Sequence, residues 1–177
     1  MHLEGSCHCG AVRFSLECPT PVPYQRCYCS ICRKTQGGGG FAINLGGAAR
    51  TLQVQGREAI GVYHARGPEH DPDGISHGER AFCSRCGSGL WNYDSDWPEL
   101  IHPFASAIDT PLPKAPEHVD LMLSYKPAWV PVPDDDGLKF AVYPEESLEA
   151  WHRRHGLLAT GSGEVAGTDE GEEEGSR

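Results

Sequence analysis

The segment Phe82-Cys83-Ser84-Arg85-Cys86-Gly87 is the strongest fold-determining signal in the sequence. Two cysteines three positions apart on a turn direct both sulfurs toward one point, and Gly87 permits a backbone conformation that a side chain would obstruct. Such a half-site needs two more thiolates to complete a tetrahedral zinc site. Cys7 and Cys9, followed by Gly10, supply them. The sequence therefore predicts a structural zinc held by Cys7, Cys9, Cys83 and Cys86.

The eight cysteines also allow a disulfide framework as an alternative to metal binding. No export signal is visible at the amino terminus, so we expect a cytoplasmic protein, and the reducing cytoplasm disfavours structural disulfides. Cysteines two or three residues apart also pair poorly with each other but are well spaced for chelation. Metal binding is therefore the expected role of the clustered cysteines.

A second cluster, Cys27-Tyr28-Cys29-Ser30-Ile31-Cys32, places three thiols within six residues. Three protein ligands with an open fourth position are typical of catalytic zinc, so we predict a second, catalytic zinc at Cys27, Cys29 and Cys32. The alternative is a closed structural site. The residues that can close it are Cys18, His8, His102 and His118. Cys18 has no neighbouring cysteine and is expected to be a small buried residue.

Basic residues flank this second cluster. An ion held by three thiolates accepts one more soft ligand, and a thiol bound there loses its proton. Arg26, Arg33 and Lys34 are close enough in sequence to bind an anionic thiol substrate. The alternative is that these three cations only offset the negative charge of the thiolates.

Taken in order, the three motifs resemble the glutathione-dependent formaldehyde-activating enzyme family, which includes centromere protein V. They are Cys7-His8-Cys9-Gly10, then Cys27 to Lys34, then Phe82 to Leu90, and the resemblance extends over about Gly5 to Trp91. It implies that the first and third motifs bind a structural zinc and that the second binds a catalytic zinc. Tyr28 stands where many relatives have histidine.

The resemblance implies a carbon–sulfur lyase. In such an enzyme the glutathione thiolate adds to formaldehyde, or to a related small carbonyl compound, and forms S-hydroxymethylglutathione. Glutathione is then the expected small-molecule partner. The competing hypothesis is a non-enzymatic, zinc-stabilised protein-interaction module in which both zinc ions are structural.

The pattern of the sequence predicts a mainly β fold. Val12, Phe14 and Leu16 alternate with polar residues, as in a half-buried strand. Glycine and proline separate further strand candidates at 41–45, 51–54, 59–64, 120–125 and 138–142. The family resemblance implies that this fold is a β-tent of two antiparallel sheets around the structural zinc. We also expect a short C-terminal helix over 145–155 and a shorter helix beginning near Ser30.

Composition limits the partners and the domain organisation. The 177-residue chain has a formal net charge of −10, which disfavours nucleic-acid binding by counterion release. No apolar run approaches the roughly 20 residues of a transmembrane helix, so no membrane association is expected. Residues 160–177 contain six acidic residues against one arginine and are rich in glycine. We therefore predict a zinc-binding domain over 1–158 and a disordered acidic tail over 159–177.

Overall fold

The computed structural model describes residues 1–36, 38–66, 74–134 and 137–157. The chain divides into two compact units, Met1–Glu146 and Ser147–Arg177. The acidic tail predicted over 159–177, and with it the predicted boundary after residue 158, lies outside the described residues. No helix in the described ranges combines the length and the apolar character needed to cross a membrane.

The described part of the first unit contains strands throughout. In chain order they are β1 His2–Ser6, β2 Arg13–Glu17, β3 Tyr24–Cys27, β4 Ala42–Asn44, β5 Gly47–Ala48, β6 Gln53–Gln55, β7 Ile60–Arg66, β8 Ile75–Cys83, β9 Gly89–Tyr93, β10 Leu100–Pro103, β11 His118–Leu121 and β12 Leu138–Lys139. Helix α1, Ser30–Thr35, follows β3 directly, and α2, Leu148–Arg154, lies in the second unit. The predicted mainly β fold with a short C-terminal helix is confirmed.

The strands form three sheets. Their strand orders are β1-β2-β6, β5-β10-β9-β8-β7 and β12-β11-β3-β4. The first two sheets are antiparallel, whereas β11 pairs in parallel with both β3 and β12. Single bridges, Gly5 to Ile108 and Asn44 to Phe104, connect strands to segments outside them. The expected arrangement of two antiparallel sheets is therefore not confirmed in its detail.

The alternation of buried and exposed side chains along β2 shows which face of the strand contributes to the main core. Phe14 and Leu16 of β2 are buried while Arg13 and Glu17 are exposed, as the sequence pattern predicts. The Phe14 ring meets the Trp91 ring edge-on, with 5.1 Å between centroids. This core joins the antiparallel sheets and includes Leu3, Leu45, Leu90, Ile101 and both Cys7 and Cys83.

Two predicted elements have bounds that differ from those expected, each for a local reason. The strand expected over 120–125 stops at Leu121, because Met122 has a left-handed backbone (φ 64°) and a 3₁₀ turn follows. The helix expected over 145–155 begins only after Ser147, whose hydroxyl accepts a hydrogen bond from the Ala150 N–H at 3.1 Å. A side-chain cap thus sets the start of α2, since serine satisfies a backbone donor at the helix end.

A buried ion pair fixes β3 in the mixed sheet. Arg26 of β3 and Asp120 of β11 are register partners, and their side chains are 9% and 0% exposed. Arg26 Nε lies 2.9 Å from Asp120 Oδ1, and Arg26 Nη2 donates to Asp120 Oδ2 at 3.3 Å. The ion pair thus connects β3 to β11 at the residue that precedes Cys27.

Substituting Asp120→Ala should lower the free energy of unfolding by about 3–5 kcal/mol, because the guanidinium of Arg26 loses its buried counter-charge. The double variant Arg26→Met/Asp120→Leu should lose less, since no buried charge remains. Denaturant unfolding measures both. Glu17→Ala is the control, because its carboxylate meets His2 Nδ1 at 2.8 Å on the exposed surface and should cost at most about 1 kcal/mol. Equal losses for Asp120→Ala and Glu17→Ala would contradict this account.

Candidate active site and metal centres

Cys7, Cys9, Cys83 and Cys86 bring their sulfur atoms to one point, all within 4.8 Å of one another. The Sγ atoms of Cys7 and Cys9 are 3.5 Å apart, and those of Cys9 and Cys83 are 3.8 Å apart. A tetrahedral zinc site with Zn–S bonds of about 2.3 Å has sulfur–sulfur edges of about 3.8 Å. The four sulfurs therefore fit a closed tetrahedral metal site.

Two glycine turns shape this four-cysteine cluster. Gly10 (φ 72°) and Gly87 (φ 76°) both adopt the left-handed backbone, as predicted for the residue after each cysteine motif. The Gly10 N–H donates to the Cys7 carbonyl at 2.9 Å, and the Gly87 N–H donates to the Cys83 carbonyl at 2.8 Å. The Val12 N–H donates to Cys7 Sγ at 3.2 Å. The hydrogen bond from Val12 thus favours the thiolate form of Cys7.

Cys27, Cys29 and Cys32 form the second cluster, and their sulfurs also lie within 4.8 Å of one another. Cys27 is the last residue of β3, Cys29 is the N-cap of α1 and Cys32 lies in its first turn. The Cys29 sulfur accepts a hydrogen bond from the Cys32 N–H at 3.3 Å. Asn44 Nδ2 donates to Cys32 Sγ at 3.8 Å. The end of a strand and the start of a helix therefore hold the three thiols together.

The thiols of this three-cysteine cluster are electrostatically coupled. Hydrogen bonds from the thiols of Cys27 and Cys32 lower the pKa of Cys29 to about 2. Hydrogen bonding to Cys29 and Cys32, together with burial, raises the pKa of Cys27. The cluster thus accepts one negative charge readily and resists further ionisation, since three adjacent thiolates repel one another. A thiophilic cation relieves this repulsion, and the donor set fits such an ion.

Among residues 1–36, 38–66, 74–134 and 137–157, no fourth cysteine, histidine or carboxylate joins the three-cysteine cluster. Cys18 is fully buried in the main core, where burial raises its pKa to about 11. This confirms its expected role as a small buried residue. His118 lies against the ring of Tyr24, with 6.1 Å between centroids. His8 lies beside the four-cysteine cluster. None of the alternative ligands is part of the cluster.

The three-cysteine cluster opens into a cavity of about 670 Å³. This volume lies within the range of small-molecule sites. Tyr93, Trp97, Tyr125 and Tyr143 provide aromatic walls. The polar and charged groups come mainly from the antiparallel strands β8 to β10 and from the end of β4. They include Asn44, Glu79, Arg80, Asn92, Asp94 and His102.

The three basic residues predicted to bind substrate lie elsewhere. Arg26 is buried in its ion pair with Asp120 and does not line the cavity. Arg33 and Lys34 line a different cavity, of about 760 Å³, together with Cys7 and Ser88. Helix α1 therefore presents its cysteines to one cavity and its two cations to another. Tyr28 is fully buried and packs on Phe41, with ring centroids 5.3 Å apart.

Arg80 and His102 are the cavity residues that the sequence patterns do not identify as substrate contacts. Arg80 Nη1 donates to Asn92 Oδ1 at 2.9 Å and lies 4.0 Å from Cys32 Sγ. His102 is half-buried and lies 3.1 Å from the Leu45 carbonyl through Nδ1. Burial lowers the pKa of His102 below its usual value. Both residues lie on strands far in sequence from the three cysteines, and no local motif predicts that the fold brings them to the same cavity.

Comparison with known proteins places the chain in a family. The model of the glutathione-dependent formaldehyde-activating enzyme family matches residues 2–122. A Halomonas elongata protein named "putative glutathione-dependent formaldehyde-activating enzyme" is 58% identical over 159 residues, which are 89% of this chain and 98% of that protein. The chain belongs to the glutathione-dependent formaldehyde-activating enzyme family. The predicted family membership is confirmed.

A solved structure is also similar to part of this chain. A crystal structure of a Rhodobacter sphaeroides protein is 26% identical to this formaldehyde-activating family member, with a TM-score of 0.47. The similarity covers 62% of this chain and 91% of the other chain.

The two clusters should respond differently to loss of one thiol. Cys29→Ser should give a folded protein that has lost one of two bound metal ions, because its cluster is local to β3 and α1. Cys83→Ser should destabilise the first unit, since the four-cysteine site joins distant parts of the chain and its metal binding adds to folding. Elemental analysis and thermal unfolding measure both effects, with Cys18→Ser as a control that should keep both ions. Equal destabilisation by Cys29→Ser and Cys83→Ser would contradict this division.

Proposed function

We propose that this protein catalyses the addition of the glutathione thiol to formaldehyde, giving S-hydroxymethylglutathione. The observation that carries the proposal is the three-cysteine cluster, which has three sulfur donors within 4.8 Å and faces a cavity of about 670 Å³. Family membership and the name of the Halomonas elongata relative support glutathione and formaldehyde as the reactants. The reaction belongs to the carbon–sulfur lyase class.

We propose zinc at both clusters, because the thiolate ligands favour it and the four-sulfur spacing suits it. Cys7, Cys9, Cys83 and Cys86 would hold a structural ion. Cys27, Cys29 and Cys32 would hold the ion at the active site and leave one position for the substrate. When bound there, zinc supplies Lewis acidity that lowers the pKa of an incoming thiol.

Arg80 is proposed to bind a carboxylate of glutathione. It contributes the only lysine or arginine side chain to the cavity within the described ranges. Its guanidinium is oriented by Asn92 and lies 4.0 Å from Cys32 Sγ, so it brings positive charge close to the thiols. The substrate-binding role expected for Arg26, Arg33 and Lys34 stays a prediction, and their placement outside this cavity favours Arg80.

The remaining cavity walls match the rest of the tripeptide. Glu79 and Asp94 line the same cavity and complement the ammonium group that glutathione also carries. Trp97 and Tyr143 line the cavity but are 61% and 69% exposed, which places them at its mouth. A bound tripeptide would cover these rings and gain from the apolar surface removed from water. It would also restrict the entry of water to the reacting sulfur.

The chemistry also favours a reducing compartment. All eight cysteines are free thiols. Both clusters need reduced cysteines to bind metal, and the proposed co-substrate acts as a thiol. We therefore propose the cytoplasm as the site of action, since thiols are kept reduced there.

The zinc-loaded protein should accelerate the consumption of glutathione thiol and formaldehyde above the uncatalysed rate. NMR exchange spectroscopy of the hydroxymethyl adduct measures that rate. Cys29→Ser should abolish the acceleration while the protein remains folded. If the wild-type protein holds two zinc ions and gives no acceleration with glutathione, the proposed function is wrong and the interaction-module hypothesis gains support.

Arg80→Met should raise the KM for glutathione by roughly 10-fold or more, because a hydrogen-bonded charge pair contributes about 1.5–3 kcal/mol. Its kcat should change less, since the carboxylate lies away from the reacting sulfur. Arg33→Met is the matched control, because Arg33 lines the other cavity. Zinc content is measured in each variant to separate substrate binding from metal loss. A larger rise in KM for Arg33→Met than for Arg80→Met would overturn the assignment.

A further inference from the structure

His102 occupies a position in the active-site cavity that neither cluster of cysteines accounts for. It lies on β10 and faces the same cavity as Cys27, Cys29 and Cys32. Its side chain is neither in an ion pair nor in either metal cluster of the described chain. The half-buried imidazole thus lines the cavity of the three-cysteine cluster without belonging to that cluster.

Two sets of contacts, one through Asn44 and Leu45 and the other through Asn92 and Arg80, connect His102 to Cys32. Cys32 Sγ accepts a hydrogen bond from the side chain of Asn44, and the carbonyl of the next residue, Leu45, lies 3.1 Å from His102 Nδ1. On the other side, His102 is the register partner of Asn92. Asn92 binds Arg80, whose Nη1 lies 4.0 Å from Cys32 Sγ. The imidazole and the Cys32 sulfur are thus held by the same few residues.

The hydrogen bond to Leu45 determines the tautomer of the ring. A carbonyl oxygen only accepts, so Nδ1 of His102 carries the proton in that contact. In the neutral ring, Nε2 is then the acceptor. Within the described residues Nε2 has no hydrogen-bond partner and is not fully buried. The basic nitrogen is therefore available to a molecule in the cavity.

The surroundings keep the ring neutral at physiological pH. Burial disfavours the imidazolium and lowers the pKa of His102, whereas the Leu45 carbonyl and the charge of Asp94 act in the opposite direction. Besides the three thiols, the charged groups in the cavity are Glu79, Arg80 and Asp94, and the phenols are Tyr93, Tyr125 and Tyr143. Partial desolvation beside the cavity raises the pKa of Tyr143, and negative charge on the cysteines adds to this effect. The phenol of Tyr143 therefore stays protonated and does not compete with His102 as a base.

From this geometry we infer that His102 is a catalytic residue that accepts the thiol proton of the substrate and returns it to the carbonyl oxygen. The inference rests on the proposed function. The S–H bond breaks as the proton moves to Nε2, and the sulfur forms the new C–S bond to the carbonyl carbon. The electron pair of the C=O π bond moves to oxygen, which takes the proton from the imidazolium. The product is the S–CH₂–OH adduct, the neutral ring is restored, and no oxidant or reductant is needed.

His102→Gln should lower kcat by about 100-fold or more, the size of a typical general acid–base contribution, with little change in zinc content or in KM for glutathione. In the wild-type protein kcat should rise with pH through a pKa below 6.5, as His102 loses its proton. This limb should be missing in the variant. Zinc content measured across the same pH range shows whether the fall of kcat at low pH comes from protonation of His102 or from loss of the metal. Added imidazole should partly restore the rate of His102→Ala, which a purely structural role would not allow.

His64→Gln is the matched control. His64 Nδ1 also lies 3.1 Å from a backbone carbonyl, that of Ser76, but the ring is exposed and does not line the cavity. Its substitution should leave kcat and the pH profile unchanged. The imidazole nitrogen signals of the zinc-loaded protein provide a readout that does not depend on activity. The signals of His102 should show the Nδ1–H tautomer and should shift when glutathione is added.

The outcomes separate the two proposals. An inactive wild-type protein that retains zinc would overturn the proposed function. A wild-type protein that is active, with a His102→Gln variant of equal kcat and unchanged pH profile, would overturn only the role of His102. Failure of imidazole to restore activity in a folded, zinc-loaded His102→Ala variant would count against His102 in the same way.

Discussion

Cys27, Cys29 and Cys32 are gathered so closely that their thiols cannot all ionise without a cation between them. The carboxyl end of β3 and the first turn of α1 place the sulfurs of Cys27, Cys29 and Cys32 within 4.8 Å. One thiolate is stabilised strongly by its two neighbours, but further ionisation is opposed. A cation resolves this conflict, and the polypeptide in the described ranges provides three donors rather than four. We propose a small thiol as the fourth ligand.

The two cysteine clusters differ in the number of sulfur donors that they bring together in the described part of the chain. The four-cysteine cluster joins the chain near residue 8 to the end of β8, and its sulfurs complete a tetrahedron without any outside ligand. The three-cysteine cluster is local, and Cys27 lies at the end of β3 in the mixed sheet. The buried pair of Arg26 and Asp120 aligns β3 with β11, so that Cys27 reaches the cavity. The buried charge pair thus positions Cys27, although neither Arg26 nor Asp120 lines the cavity.

The cysteine clusters could be predicted from the sequence because metal-binding turns are local and have fixed spacings. The residues that surround them could not be predicted equally well. Arg26 precedes Cys27, but successive side chains of a strand point to opposite faces, so Arg26 turns away from the cavity. Arg33 and Lys34 line one cavity, whereas Cys29 and Cys32 line the other. Arg80 and His102 lie on β8 and β10, and only the tertiary fold brings these strands to the cavity that the distant cysteines line.

We propose that the three-cysteine site accepts a thiol from solution and that the four-cysteine site does not. The most direct test replaces the bound metal with cadmium and follows the cadmium NMR spectrum while glutathione is added. The account predicts two signals, of which one shifts with glutathione and is absent from the Cys29→Ser variant. The other signal, from Cys7, Cys9, Cys83 and Cys86, should not move. Two signals that both stay unchanged at saturating glutathione would contradict the account.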